Sequence, residues 1–309
     1  MTPSVSQIIS NGHYNEKYLI RKVGNAIYLR QKTNEFIGAL QSRKKNRSSY
    51  NEQPLVLANN WNGSVQQFYH FLLGYYMPLN IWLDKTGATK IAVRDCGPMN
   101  PWFELLTDRV DIEIMPPGSA LHVVIGDLKS HVVLNGIDDP QKFSPTTIQG
   151  GARSILQRLE IPPVTRSHSQ RILIVDRATS EDFYHKHGSE THMSGKERRH
   201  VPNLNDLQTA LSASHEVEIV DLARVSPKDQ IHLLQRATTL VGQHGAGLAH
   251  MLWMPANSHV VEIAPPLPTQ VEQIFKDLAA ALGHTYKRVD QESVHASVSI
   301  SELVNAIQV

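Results

Sequence analysis

The run Leu240-Val-Gly-Gln-His-Gly-Ala-Gly-Leu-Ala-His250 holds the residues of this sequence best suited to chemistry. An apolar strand leads into a glycine turn, and the turn opens a helix. A helix start leaves backbone N–H groups without partners and carries the positive end of the helix dipole, so a turn of this kind binds phosphate. Gly245 and Gly247 would let the backbone approach a pyrophosphate closely, with His244 and Ala246 completing the turn. The dinucleotide fingerprint G-x-G-x-x-G fails at its last position, where His250 stands. The turn also follows the third strand of its half of the chain instead of the first, which argues against a nicotinamide site. A glycine turn can serve only to pack a helix on a sheet, but His244 within it and Glu262 on the next strand favour phosphate. Glu262 lies in the apolar run His259 to Ala264. A carboxylate there can accept two hydrogen bonds from a ribose diol, as acidic residues do in dinucleotide sites.

Cations that could meet such an anion lie upstream. Arg177 ends the run Arg171 to Asp176, and Lys196, Arg198 and Arg199 stand in the polar segment Ala178 to Pro202. A segment of that length reads either as a lid that closes its cations on a diphosphate or as a solvated charged loop. His185, His187, His192 and His200 share it, but their spacings fit no ligand motif and no carboxylate array accompanies them, so no metal site is expected. His70, in the apolar helix Phe68-Tyr-His-Phe-Leu-Leu, is either a base working near neutrality or a satisfied core residue. Cys96, the single cysteine, reads as a buried bystander.

The elements that must position these residues are clearest in the second half. Arg171 to Asp176, His215 to Leu222, Thr238 to Gly242 and His259 to Ala264 are short apolar runs rich in β-branched residues, as buried strands are. Helical patterns separate them: Asn205 to Ser212, then a helix opened by Ser226-Pro-Lys-Asp229, which is a capping box with proline at its first position. Another starts at Thr269 and ends at Gly283. Strand alternating with helix at this rhythm predicts a parallel, doubly wound sheet. The first half alternates less cleanly. Its strand candidates are Leu55 to Asn59, Lys90 to Asp95, Val110 to Met115, Leu121 to Ile125 and His131 to Asn135, with helices over Val65 to Asp84 and Thr146 to Glu160. Pro162-Pro163 breaks the pattern. The expected division is therefore 1–162 and 163–309, two α/β domains facing a cleft, with the C-terminal helix free to pack back on the first.

Composition bounds the function. At 309 residues the chain is long enough for two domains, each with its own core. Thirty basic residues against 29 acidic ones leave a net charge of +1, which supplies no field for a nucleic acid. One cysteine cannot form an internal disulfide, and the N-terminus shows neither a leader pattern nor a membrane-length apolar run. The expectation is a cytoplasmic protein without a transmembrane segment, which leaves room for peripheral membrane contact.

The segment QHGAGLAHMLWMPANSHVVEIAPP resembles the signature of glycosyltransferase family 61, and the resemblance extends to Arg171 to Arg177, Arg199 to Asn203 and Leu222 to Ala237. In the first half only Gln66 to Leu79 is similar. That family includes the EGF-domain O-GlcNAc transferases, plant xylan pentosyltransferases and bacterial capsular polysaccharide transferases. Gly74 stands where bacterial relatives often carry an acid, which removes a catalytic acid from that position.

The resemblance implies a GT-B-type fold and inverting, metal-independent transfer of a sugar from a nucleotide sugar to a saccharide or glycolipid acceptor, with no cofactor beyond that donor. Residue types agree: no two aspartates are two apart, so the Asp-x-Asp metal device is missing, and no Glu-x7-Glu pair is present. The departing diphosphate would be met by Gly245, Ala246, Gly247, Arg177, Arg199 and His244, with Glu262 on the ribose. His70 is the expected base because its block resembles the family; Asp95 is the reserve, ending a strand where open α/β sheets place their sites. Two rival readings are a sugar-nucleotide binding module without effective turnover and a pyruvyl- or sialyl-type transferase on a GT-B-like fold.

Overall fold

The computed structural model describes the backbone of residues 18–23, 26–31, 55–56, 65–115, 123–124, 145–162, 170–177, 179–180, 182–185 and 194–308. The strand expected over His131 to Asn135 and the middle of the polar segment, with His187 and His192, lie outside these residues. The chain forms two compact units, one of residues 1–58, 82–95 and 106–130, the other of 59–81, 96–105 and 131–309.

The first unit holds a six-stranded mixed sheet in the order β1-β2-β6-β3-β4-β5. Its members are β1 (Tyr18–Val23), β2 (Ala26–Gln31), β3 (Leu55–Val56), β4 (Lys90–Arg94), β5 (Asp111–Met115) and β6 (Val123–Val124). β1 and β2 pair antiparallel from Tyr18↔Gln31 to Val23↔Ala26, an element the apolar-run reading did not yield. β3, β4 and β5 run parallel, so the βαβ rhythm read in this half holds for those strands.

The second unit is built on five parallel strands in the order β11-β10-β9-β7-β8. These are β7 (Arg171–Asp176), β8 (Glu216–Asp221), β9 (Thr239–Gln243), β10 (His259–Ala264) and β11 (Thr285–Asp290). Read from β8, the first strand of this unit lies between the second and third, so the connection reverses between β7 and β9. In open α/β sheets a crevice forms outside the carboxyl ends of the strands at such a reversal, and ligands bind there. Arg177 follows β7 and His244 follows β9, so the chain order alone puts both at that point.

Two layers of helix cover this sheet. On one face Ile172, Ile174, Val241, Val261 and Ile263 pack against Leu207 and Leu211 of the helix Leu204–Leu211 and against Leu303 and Ile307 of the helix Ile300–Ile307. The C-terminal helix, whose place in the sequence leaves it free to fold back on the first half, thus packs on β10 and β11 of its own sheet. Each fully buried Leu or Ile of this kind contributes about 1.5–3 kcal/mol relative to exposure. The other face carries the 3-10 helix Ala246–Trp253 and the helices Pro227–Arg236 and Ile274–Leu282. The ends of these helices follow local chemistry. Ser226 caps Pro227–Arg236 by accepting from the Asp229 N–H at 3.2 Å, and Gly283 closes Ile274–Leu282 in the left-handed region at φ 76°.

The segment 59–81 brings its own helix into this unit: Phe68–Phe71, then a π-helical turn Leu72–Tyr76 that leads into Met77–Thr86. Phe71, Leu72, Leu73, Tyr75, Tyr76 and Leu79 are buried, while Phe68, Tyr69 and His70 keep part of their surface. No helix among the described residues is long and apolar enough to cross a membrane.

Candidate functional site

A cavity of about 560 Å³ opens in the second unit at the strand reversal. Pockets of roughly 300–1,000 Å³ at such points take small ligands. Its floor is Val175, Asp176 and Arg177 from the end of β7 and Gly242 to Leu248 from β9 and the turn beyond it. One wall is Asp221, Leu222, Ala223 and Val225, which follow β8, together with Pro227 and Gln230. Phe68, Tyr69, His70, Met99 and Trp102 form another, facing Val271, Ile274 and Phe275.

The glycine turn is more tightly specified than a phosphate loop alone requires. Gly245 has φ 156°, and a Cβ there would collide with the Arg177 guanidinium, which occupies that space. A Cβ on Gly247 would sit 2.9 Å from Cγ1 of Val175, so this glycine lets the helix close on β7. The helix that the turn opens is a 3-10 helix over Ala246–Trp253. The N–H groups of Gly245, Ala246 and Gly247 find no backbone acceptor among the described residues. They remain available to an anion, as helix-start donors are.

Arginines converge on the same point. Arg177 Nη2 donates to the His244 carbonyl at 3.0 Å, and Arg199 Nη1 donates to that same oxygen at 2.7 Å. Arg198 and Gly195, from the short helix Gly195–Arg198, also line the cavity. Burial, then repulsion from Arg199 and Arg198, pulls the Arg177 pKa down to about 10, against the opposing pull of Asp176. Burial and Arg198 lower that of Arg199 in the same way. Crowded, desolvated cations of this kind are stabilised by a bound anion. Asp176 pairs with Lys196 at 3.5 Å, with His200 at 3.8 Å.

Glu262 does not line the cavity, and its place corrects the role expected for it. It is wholly buried at 0% exposure, and both its oxygens are taken. Oε1 lies 2.5 Å from His244 Nδ1, and Oε2 accepts from the Tyr286 hydroxyl at 2.8 Å. At 0% exposure neither oxygen is open to a ribose diol. Burial first, and then the Glu262 carboxylate, push the Tyr286 hydroxyl well above the usual phenol range. Tyr286 sits on β11, whose sequence TYKRVD lacks the apolar run that marked the other strands, so the sequence reading missed both strand and residue.

His70 lines the cavity with Nδ1 buried and without a hydrogen-bond partner. Burial, with help from Arg198, draws its pKa down to about 4. Asp95 follows β4 in the first unit and is not among the residues lining this cavity. His250 takes a structural part: its ring stacks on Phe68 at 4.1 Å, with Nε2 2.6 Å from Gln230 Oε1 and Nδ1 3.1 Å from the Gly247 carbonyl. Burial draws its pKa down to about 3 against the opposing pull of the Gly247 carbonyl, and a neutral ring can donate to only one of these two oxygens. Gln230 in turn donates to the carbonyls of Leu222 and Val225, tying the loop after β8 to the 3-10 helix. Among the described residues no group of three or more His, Cys, Asp or Glu side chains is placed to hold a metal.

A parallel α/β sheet with a glycine turn and paired arginines at its switch point defines a Rossmann-like unit suited to phosphate-bearing ligands. The sequence profile of glycosyltransferase 61 matches residues 68–261, a stretch that runs from the aromatic wall through the glycine turn to β10. The chain belongs to glycosyltransferase family 61. It is similar to the EGF domain-specific O-linked N-acetylglucosamine transferase of Drosophila melanogaster, 27% identical over 142 residues, which are 45% of this chain and 24% of the relative. The protein of the same name from Pan troglodytes is 33% identical over 94 residues, 29% of this chain and 17% of the relative. The chain therefore spans less than a quarter of the length of these relatives.

Proposed function

We propose that the protein is an inverting glycosyltransferase that moves a sugar from a nucleotide sugar to a saccharide or glycolipid acceptor without a metal, on a GT-B-type pair of domains. One observation carries the reading: Arg177, Arg199 and the N–H groups of Gly245 to Gly247 converge on one cavity. Cleaving a glycosyl–phosphate bond leaves negative charge on the diphosphate. Fixed donors and cations in a partly dry site stabilise that charge as it develops. Metal independence rests on the missing Asp-x-Asp pair. Family membership and the likeness to O-linked N-acetylglucosamine transferases support sugar transfer.

Calorimetric titration of UDP and GDP with and without EDTA tests this. Tight binding of one nucleoside diphosphate in the presence of chelator is the expected result. Affinity abolished by EDTA would overturn metal independence, and no binding of either nucleotide in any condition would overturn the donor site.

A further inference from the structure

We propose that His244 is the proton acceptor of the transfer step, held by Glu262 and Tyr286 as positioning residues. The proposal rests on the reading of the cavity as a donor site. An ionised carboxylate only accepts hydrogen bonds, so the proton in the 2.5 Å contact between Glu262 Oε1 and the ring belongs to His244 Nδ1. Tyr286 donates to Oε2 and occupies the other side of the carboxylate. In the neutral ring Nε2 is then a bare lone pair. Among the described residues no protein donor reaches it, and His244 lines the cavity directly before Gly245, its ring edge-on to Phe275, which lines it too. A carboxylate behind a histidine fixes the tautomer and stabilises the imidazolium that forms when the far nitrogen takes a proton.

The step balances as follows. The acceptor hydroxyl gives its proton to Nε2 while its oxygen bonds to the anomeric carbon. The bond from that carbon to the diphosphate oxygen breaks, and its electron pair leaves on the diphosphate, beside Arg177 and Arg199. The imidazolium, faced by Glu262 behind and by these arginines at its carbonyl, later releases the proton to solvent. His70 shares the cavity but has nothing equivalent. Its Nδ1 is buried without a partner, and no carboxylate stands behind it in any described contact.

The first test needs no substrate. In ¹⁵N-histidine NMR of the full chain at about pH 8, with His244 assigned by its loss in His244→Gln, the ring should be the Nδ1–H tautomer, and Glu262→Gln should release it into a mixture. A ring protonated only at Nε2 would overturn the proposal. Inorganic pyrophosphate is titrated into the same proteins; a wild type that fails to bind it overturns the donor reading and this step with it, whatever the tautomer. Donor turnover is read as nucleotide released from UDP- and GDP-sugars with water as acceptor. It should fall about 100-fold or more in His244→Gln, with pyrophosphate affinity within about threefold of wild type and the acid limb of the kcat/KM profile gone. A matching loss of affinity and turnover would make His244 an anchor. A limb that survives in His244→Gln and disappears in His70→Gln would move the role to His70.

Discussion

Arg177 and Arg199 donate to one acceptor, the carbonyl oxygen of His244. A single neutral oxygen cannot answer two guanidinium charges, and burial lowers the pKa of both, against the opposing pull of Asp176 on one and Glu262 on the other. The same carbonyl ties their position to the glycine turn: the residue that carries the ring on Glu262 also carries the oxygen that gathers the arginines.

Arg177→Ala and Arg199→Ala should each weaken pyrophosphate binding by about 1.5–3 kcal/mol, the range for hydrogen bonds to charged groups. Calorimetry measures this directly. With a turned-over donor, Arg177→Ala should lower kcat more than it raises KM, because charge on the leaving group grows toward the transition state. A pure KM effect would reduce Arg177 to an anchor.

Glu262→Ala removes the partner of two buried groups, His244 Nδ1 and the Tyr286 hydroxyl. It should destabilise the fold by about 2–6 kcal/mol, as leaving two buried donors unsatisfied does. Urea denaturation monitors the loss. Because no carboxylate oxygen faces the cavity, Glu262→Gln should not change the preference for a ribonucleotide over its 2′,3′-dideoxy analogue. A selective loss of ribonucleotide binding would return Glu262 to the sugar.

Gly247→Ala places a methyl group against Val175 and should cost about 1–3 kcal/mol, the range for overpacking. Adding Val175→Ala should recover part of that, with a coupling of about 0.5–3 kcal/mol between the two sites. Additive effects of the two changes would show that the contact does not limit the approach of the 3-10 helix to β7.

Stability should fall in mild acid. His250 and His70 have folded pKa values lowered to about 3 and about 4, and His259 and His284 are lowered as well, chiefly by burial. The unfolded chain therefore takes up protons first, at pH values below about 6.5, while the folded state resists them. Stability is fully present above that value and is lost as the pH drops toward about 4. Urea midpoints from about pH 7.5 to 4.5 should trace this loss. His250→Asn should flatten the slope while costing stability at neutral pH, and an unchanged slope would exclude His250 as a source.

Much of the second unit is legible in the sequence because β7, β9 and β10 are buried on both faces and read as continuous apolar runs. The Ser226 cap and the Gly283 stop are equally local signals. β11 is different. Its side chains are half exposed, so polar residues fill it and the run disappears. Losing that strand hides Tyr286, and without Tyr286 the carboxylate in HVVEIA looks free for a ligand. Gly24-Asn25, between two runs rich in β-formers, is the signal that points to the β1–β2 pair. The π-helical turn and the 3-10 helix depend on packing, which periodicity does not record.

Gln230 binds the carbonyls of Leu222 and Val225 and the ring of His250, which itself stacks on Phe68. Three stretches of cavity wall are thereby fastened before any ligand arrives. The entropy lost in ordering that wall belongs to folding and not to binding, so it does not subtract from affinity. A ligand entering here should associate at a rate set by encounter and by the attraction of the arginines. Differences among nucleotides should then appear mainly in how long each one stays.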